Sequence, residues 1–454
     1  MKAKQYFTTN GNDFLPKADF VKRDVFPTEP LSGIQSLIRG DVSFDNFLGF
    51  GVAITGSSCY NLSKMEKTDR IAFLKSIYSN DGLGLSVGRL TIGASDYSTK
   101  VYSYDDVADD VKLEHFSIQK DMDFILPILK EIVAINPDIY LYASPWSPPG
   151  WMKTSSSMGG GYMRSEYVEC YADYIVKYIK EYAKHGIKIS ALTPQNEIET
   201  EQNGTMPACL WNPEDEKNFI ISLKKKLEEN NLDVKIWMLD HNFSCINRVD
   251  WLLSNFSELN TACNGIAFHY YGGTIEDTLY LKKSYPNLSL HFTEGGPRLF
   301  DNYSNDFCKW AIMISKVLNY GYKSFTGWNL MLDEFGGPNI GPFFCGGLVT
   351  RNSFSGELSY SGQYKALLHI AKFVKKGALI YHVQHDSLKM KMFSFPPKCN
   401  IPLEVSCVKN TDGSVCYFLT NANDTKIQTQ IYEDGNWYYV EVLPNTVSTV
   451  VFEK

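Results

Sequence analysis

Two glutamates occupy corresponding places in this chain, each where a short apolar stretch gives way to polar or turn residues. Glu197 ends the segment KISALTPQNE (188–197), and Glu294 follows Leu288–Thr293 (LSLHFT). Such stretches predict buried strands, and the carboxyl ends of barrel strands share one mouth. Two carboxyl groups there could divide acid/base chemistry, one protonated and one ionised. An exposed loop position is the alternative for either glutamate alone, but the matching placement of both favours the paired interpretation.

Eight strand-like segments alternate with helical stretches and would supply the frame for these side chains. They are Leu48–Thr55, Leu83–Leu90, Asp138–Ala143, Lys188–Thr193, Val234–Leu239, Gly265–Tyr270, Leu288–Thr293 and Lys323–Gly327. This alternation favours a (β/α)8 TIM barrel over an open doubly wound sheet. An open sheet would need a glycine-rich phosphate loop after its first strand, and the glycines there lack the GxGxxG spacing.

Helices are predicted between these strands. Ser165 would cap a helix over Tyr167–Lys184, which carries one apolar stripe. Asn212 would cap a second helix that begins at Pro213 and has an acidic first turn. Further helices are predicted over Phe124–Val133, Phe307–Leu318 and Tyr364–Val374.

The C-terminal part of the chain has a different sequence pattern, in which short runs of alternating apolar and polar residues are separated by turn residues. These runs are Ser387–Phe393, Val415–Leu419, Gln428–Tyr432, Trp437–Val442 and Val447–Phe452. They predict a small antiparallel β domain, to which the N-terminal segment adds a strand or two. We therefore expect a catalytic barrel over residues 46–376 and a β-sandwich-like side domain from residues 1–45 plus 377–454.

Composition excludes several classes of partner. The 454 residues carry a formal net charge of −7 without a long basic run, which argues against nucleic acid and anionic membrane surfaces. No apolar run reaches the ~18 residues of a membrane span, and the N-terminus shows no secretory h-region. The ten cysteines lack CxxC spacing, so reduced thiols in the cytoplasm are expected rather than disulfides or a zinc site. Nothing in the sequence indicates an oligomeric state.

Several motifs, in order along the chain, resemble glycoside hydrolase family 30, the glucosylceramidase family. They are GFGVAITGSS (49–58), SPWSPPGWMKT (144–154), TPQNE (193–197), FTEGG (292–296), GWNL (327–330) and GGPN (336–339). The resemblance implies a retaining β-glycosidase on a barrel with a fused β side domain. It makes Glu197 the acid/base, Glu294 the nucleophile, and Asn196 a ligand of the sugar 2-hydroxyl.

The resemblance also implies roles around the sugar. Asp96 would bind sugar hydroxyls, although a turn aspartate is the plain alternative. Trp146 and Trp328 would line the glycone pocket, although core packing is the commoner fate of tryptophan. Tyr271 would bind substrate and hydrogen-bond the nucleophile, and Asn339 matches a late asparagine ligand by its motif.

Three further residues are expected to support the site. By the same resemblance Arg89 matches an arginine near the nucleophile, where a fixed cation would keep Glu294 ionised; its alternative is an ordinary ion pair inside the barrel. Asp240 ends the fifth strand and would brace the site from behind. His269 ends the sixth strand and is expected to support the site; a metal-ligand role is not expected, because no His, Asp or Glu partner stands at metal-ligand spacing from it in the sequence.

The expected function is hydrolysis of β-D-glucosides by a retaining exo-β-glycosidase, through a covalent glycosyl-enzyme, without metal or organic cofactor. A β-xylosidase, a β-fucosidase or a β-1,6-glucanase of the same family is the alternative within this class. A carbohydrate-binding barrel that retains the pocket but does no chemistry is the alternative from another class.

Overall fold

Eight parallel strands close into a barrel in this computed structural model, which describes residues 2–9, 21–383 and 402–453. In chain order the strands are β1 Gly49–Ala53, β2 Val87–Ile92, β3 Tyr140–Pro145, β4 Ile189–Leu192, β5 Lys235–Asn242, β6 Gly265–His269, β7 Ser289–Glu294 and β8 Ser324–Gly327. Each strand pairs with its sequence neighbours and β8 pairs with β1. The predicted (β/α)8 barrel is confirmed. The second strand starts later than predicted, because buried Leu83 and Leu85 lie in the turn that precedes it.

Helices surround this barrel. They are α1 Gly56–Ser63, α2 Lys67–Tyr78, α3 Ile125–Ile135, α4 Val168–Lys184, α5 Pro213–Glu229, α6 Ile246–Asn255, α7 Leu259–Ala262, α8 Leu281–Ser284, α9 Phe307–Asn319 and α10 Gly362–Ile370. Ser165 does not cap α4, because it lies in a 3₁₀ turn (Ser165–Tyr167) before that helix begins. Asn212 precedes α5 and Pro213 begins it, but the Asn212 side chain makes no hydrogen bond to the helix backbone. Among the described residues no helix combines the length and apolar character of a bilayer span.

The barrel interior changes character along its axis. Toward the amino ends of the strands it is apolar and aromatic, and Trp237 there stacks on His291 with 3.6 Å between ring centroids. Toward the carboxyl ends the inward side chains are polar and buried, Arg89 and Asp240 among them. Polar side chains inside a barrel require mutual hydrogen bonds, so this layer is where function is expected.

A second, mostly antiparallel sheet lies beside the barrel. Its strands within the described residues are Lys2–Thr9, Val21–Val25, Pro27–Thr28, Gln35–Phe44, Leu379–Val383, Glu404–Lys409, Val415–Asn421, Ile427–Glu433, Asn436–Val442 and Thr446–Glu453. The N-terminal segment thus gives four strands, more than the one or two expected. The predicted strand Ser387–Phe393 lies outside the described residues. The division at residues 45/46 and 376/377 stays a prediction.

The sheet packs on α9 and α10. His369 of α10 lies 2.8 Å from the Thr8 hydroxyl, and Asn319 of α9 donates to the Val405 carbonyl at 2.8 Å. These contacts attach the sheet to the outside of the barrel, away from the cavity at its mouth.

Candidate active site

A cavity of about 270 Å³ opens at the carboxyl ends of the barrel strands. That volume is near the lower end for small-molecule sites. Seven residues predicted from the sequence line it together: Asp96, Trp146, Asn196, Glu197, Tyr271, Glu294 and Trp328. The two glutamates on which the sequence interpretation depends therefore face one space, although 97 positions (294 − 197) separate them.

Arg89 connects the residues beneath this cavity. Its guanidinium is fully buried, forms an ion pair with Glu294, and lies 2.8 Å from both Asp240 Oδ2 and Asn196 Oδ1. Burial would lower the pKa of Arg89, but the carboxylates of Asp240 and Glu294 outweigh burial and raise it. The nucleophile candidate is thus paired with a permanent cation, as expected.

Asp240 is the anchor of this polar layer. It is fully buried, and its two carboxylate oxygens accept from five side chains: Arg89 (2.8 Å), Ser144 (2.8 Å), Thr193 (2.6 Å), Thr293 (2.8 Å) and His269 (3.0 Å). Although burial opposes ionisation, Arg89 and these hydrogen bonds lower the pKa of Asp240. The donors come from β2, β3, β6, β7 and the residue after β4, so one carboxylate fixes most of the barrel mouth.

An irregularity in β5 turns Asp240 inward. Leu239 and Asp240 have left-handed φ values of 74° and 52°, and the register between β5 and β6 shifts at this point. A β-bulge re-aims the side chains beyond it. The bulge therefore lets Asp240 enter the interior while His241 next to it lines the cavity.

Glu197 is held by an unusual backbone conformation. Its φ of 51° is left-handed, and its N–H donates to the Asp240 carbonyl at 2.9 Å. At the carboxylate, Gln202 Nε2 donates to Oε2 at 2.7 Å, and His269 Nδ1 lies 3.3 Å from Oε1. Non-glycine residues in this conformation are held there by their surroundings and concentrate at functional sites.

His269 lies between the two candidate catalytic carboxylates. While Nδ1 faces Glu197, Nε2 lies 3.0 Å from Asp240 Oδ1 and 3.9 Å from Glu294 Oε2. Burial would lower the pKa of His269, but the Glu294 charge and the hydrogen bonds to Asp240 and Glu197 raise it to about 9. The imidazole is therefore a cation at neutral pH.

This cation alters the expected protonation of Glu197. Burial would raise the pKa of Glu197, but the hydrogen bond from His269 and the nearby histidine charges lower it. Burial lowers the pKa of His241, and the hydrogen bond from His269 is the largest of the effects that lower the pKa of Glu197. The sequence interpretation required one carboxyl held protonated. The two shifts instead favour a proton on His269 beside an ionised Glu197.

One wall of the cavity contains Trp146, Trp328 and Asp96, the residues predicted to lie there. Trp146 and Trp328 stack with 5.2 Å between ring centroids, and the Arg89 guanidinium lies over both rings. Asp96 is 4% exposed, and its Oδ1 has no hydrogen-bond partner among the described residues. Burial and the charges of Glu294 and Glu197 raise the pKa of Asp96. A buried acceptor of this kind is suited to ligand hydroxyl groups.

Two predicted contacts differ in the structure. Tyr271 lines the cavity, but its hydroxyl makes no hydrogen bond to Glu294 or to any other described residue. Its ring packs against Arg298 instead, at 5.3 Å. Asn339 does not line the cavity, because its amide is used within its own loop: Nδ2 donates to the Phe343 carbonyl and Oδ1 accepts from Gly341 N–H.

Sequence reasoning missed other lining residues. Gln202 and Met206 come from the loop after β4, and Arg298 comes from the loop after β7. Arg298 stands four positions after Glu294 in TEGGPR, a proximity that could have identified it. Gln202 lies in a polar loop with no distinguishing pattern, so only the fold reveals it.

Comparisons with known proteins identify a family and relatives that share this fold. The model of the glycosyl hydrolase family 30 TIM-barrel domain matches residues 47–374. Putative glucosylceramidase 3 of Caenorhabditis elegans is 27% identical over 477 aligned positions, covering 100% of this chain and 88% of that protein. An endo-1,6-beta-D-glucanase of Neurospora crassa is 28% identical, covering 73% of this chain and 71% of that protein. The solved structure of the endo-beta1,6-glucanase BT3312 is 29% identical, with a TM-score of 0.85 and coverage of 100% of both chains.

Proposed function

We propose, because the chain belongs to glycosyl hydrolase family 30, that this glycoside hydrolase is a retaining exo-β-glycosidase acting on β-D-glucosides. The observation that carries the proposal is the position of Glu197 and Glu294 on opposite nitrogens of one imidazole, facing one cavity. Retaining enzymes place their carboxyl groups about 5–5.5 Å apart, so that one attacks carbon while the other handles the proton.

In the first step Glu294 attacks the anomeric carbon as the bond to the leaving oxygen breaks. Glu197 takes the proton from His269 Nδ1, which lies 3.3 Å from Oε1, and passes it to that oxygen, so that Glu197 is left ionised and His269 neutral. As Glu294 becomes an ester its charge disappears, which weakens the field that holds the proton on His269. Proton release thus accompanies nucleophilic attack.

In the second step Glu197, now ionised, removes a proton from water, and the oxygen of that water attacks the anomeric carbon. The bond to Glu294 breaks and the sugar leaves with its β configuration retained. Asn196 is held by Arg89 at 2.8 Å in a position suited to the sugar 2-hydroxyl, where a hydrogen bond strengthens as the ring gains positive charge.

A β-1,6-glucanase is the second candidate. The 29% identity to the glucanase BT3312 over the full length of both chains favours it, while the nematode relative carries the glucosylceramidase name. Both substrates present a β-glucosyl unit to the cleavage position and differ in the leaving group attached to that unit. The glycone side of the cavity could serve either reaction.

The catalytic assignment is tested by trapping and by matched variants. A 2-fluoro β-glucoside should label Glu294, as found by peptide mass spectrometry, and NMR should show the β-anomer first. Glu197→Gln and Glu294→Gln should each lose at least about 10³-fold in kcat/KM on aryl glucosides with poor leaving groups. Glu199→Gln is the control, since Glu199 is near in sequence but pairs with Arg248 outside the cavity. Parental rates in folded Glu197 and Glu294 variants would refute the assignment.

Substrate choice is tested separately. Wild-type protein is offered glucosylceramide, a β-1,6-glucan, and aryl β-glucosides, xylosides and fucosides, and the products are separated by chromatography. Glucose alone as product supports exo action on glucosides. Oligosaccharides from the glucan would instead support the second candidate, and glycan binding without any turnover would contradict both.

A further inference from the structure

We propose that Glu197, His241 and His269 form a binding site for a divalent transition-metal ion such as Zn²⁺ or Cu²⁺, whose occupancy inhibits the enzyme. One ligand atom from each of the three residues lies within 4.8 Å of the other two. Glu197 Oε1 is 3.3 Å from His269 Nδ1 and 3.9 Å from His241 Nδ1. With metal–ligand bonds of about 2.0–2.1 Å, neighbouring ligands of a tetrahedral ion lie roughly 3.4 Å apart, so small side-chain rotations complete the set.

His241 gives the independent indication that a ligand belongs there. Its ring is 6% exposed, and its Nδ1 has no hydrogen-bond partner among the described residues. That atom faces Glu197 Oε1 at a distance too long for a hydrogen bond. A buried nitrogen without a partner is costly unless something occupies the gap, and an ion would use its lone pair.

The surroundings already have the form of a metal site. His269 presents Nδ1 to the gap while Nε2 contacts Asp240 Oδ1 at 3.0 Å, the carboxylate–histidine arrangement that orients metal-binding imidazoles. Gln202 donates a hydrogen bond to Glu197 Oε2, so Oε1 is the oxygen that would bind the ion. Both Glu197 and His269 are thus fixed by a further contact.

The donor set selects the kind of ion. Two imidazole nitrogens and one carboxylate oxygen suit Zn²⁺, Cu²⁺ or Ni²⁺, whereas Mg²⁺ and Ca²⁺ prefer oxygen ligands. All three residues stand at the mouth of the barrel, and Glu197 and His241 line the cavity, so a fourth position is open to water.

A bound ion would coordinate Glu197 Oε1, the oxygen that transfers the proton. An ion on Glu197 Oε1 and His269 Nδ1 excludes the proton that these two atoms share, so the leaving group receives none. This inhibition rests on the proposed function, whereas ion binding itself does not. The two can therefore fail separately.

The binding test uses the chelator-stripped full chain and the ions alone. Zn²⁺ affinity is measured by competition with a chelating dye, and Co²⁺ is added as an absorbing substitute. We expect one ion per chain and visible Co²⁺ bands of low-coordinate nitrogen and oxygen ligation. His241→Asn should weaken the site at least about 10-fold. His115→Asn, an exposed histidine in the loop between β2 and α3, should leave it unchanged.

The outcomes separate clearly once circular dichroism melting has shown that the variants are folded. Unchanged Zn²⁺ affinity in His241→Asn overturns the site, as does a Co²⁺ spectrum dominated by thiolate charge transfer, since the chain has free cysteines. If His241→Asn misfolds, His241→Gln replaces it. Zn²⁺ should also inhibit aryl glucoside hydrolysis in the parent more than in the variant. Binding without inhibition would overturn the inhibitory role alone.

Discussion

Replacing Asp240 by asparagine should move the alkaline limb of the pH profile while the cavity keeps its lining. The amide has nearly the same shape, but it presents an NH₂ group where Asp240 now accepts hydrogen bonds on both oxygens. If the NH₂ group faces His269 Nε2, that nitrogen must act as an acceptor, which favours the neutral imidazole. Arg89 is left with Glu294 as its carboxylate partner.

The size of the pKa shift at His269 is set by the hydrogen bond to Asp240 that is lost. A hydrogen bond to a charged group contributes about 1.5–3 kcal/mol, and one pKa unit corresponds to about 1.4 kcal/mol. The pKa of His269, now about 9, should therefore fall by about 1–2 units. Breaking the buried pair with Arg89 should also reduce the free energy of unfolding by about 3–5 kcal/mol.

The assay is kcat/KM on an aryl β-glucoside from pH 5 to 10 with EDTA present, together with urea unfolding. Asp121→Asn is the matched control, because Asp121 is equally buried and accepts from three tyrosine hydroxyls at 2.6 Å, far from the cavity. Asp121→Asn should lower the free energy of unfolding but leave the alkaline limb of the pH profile where it is in the parent. A limb that is unmoved in Asp240→Asn would refute the claim that Asp240 holds the proton on His269.

Three further predictions address single residues. Asp96→Asn should lower kcat/KM on glucosides at least about 10²-fold yet raise the melting temperature at pH 7. Burial and the charges of Glu294 and Glu197 raise the pKa of Asp96, so ionisation of this carboxyl costs stability in the folded state, and one of its oxygens has no hydrogen-bond partner among the described residues. The stability gain should vanish near pH 4, and a destabilised variant would contradict it. Because the pKa of His269 is raised to about 9, the contribution of its proton to stability is complete below about pH 6.5 and disappears toward pH 9. The difference in unfolding free energy between the parent and His269→Gln should therefore fall by about 3 kcal/mol across that range. A difference that stays constant with pH would refute this prediction. Asn339→Ser should change KM less than about 3-fold while Asn196→Ser changes kcat/KM at least about 10-fold, and equal losses would return Asn339 to the substrate site.

The sequence carried enough information for the barrel and for the two glutamates. β4 and β7 are both short buried strands; Glu294 is the last residue of β7, and Glu197 lies in the polar segment that follows β4, so the strand positions placed both glutamates at the same end of the barrel. Local rules were less reliable at helix ends. Ser165 is a good capping residue that the chain uses in a 3₁₀ turn instead. For Asn339 the motif matched, but the hydrogen bonds inside its loop decided its role.

Local pattern could not supply the bulge in β5. An uninterrupted strand alternates its faces at every residue, so Asp240 and His241 could not both serve the site. Left-handed backbone at Leu239 and Asp240 breaks that alternation, and leucine in particular rarely adopts this conformation. The bulge fixes Asp240, Asp240 fixes His269, and His269 sets where the proton of Glu197 resides. The protonation of Glu197 therefore depends on a backbone irregularity in another strand, and only the assembled barrel determines it.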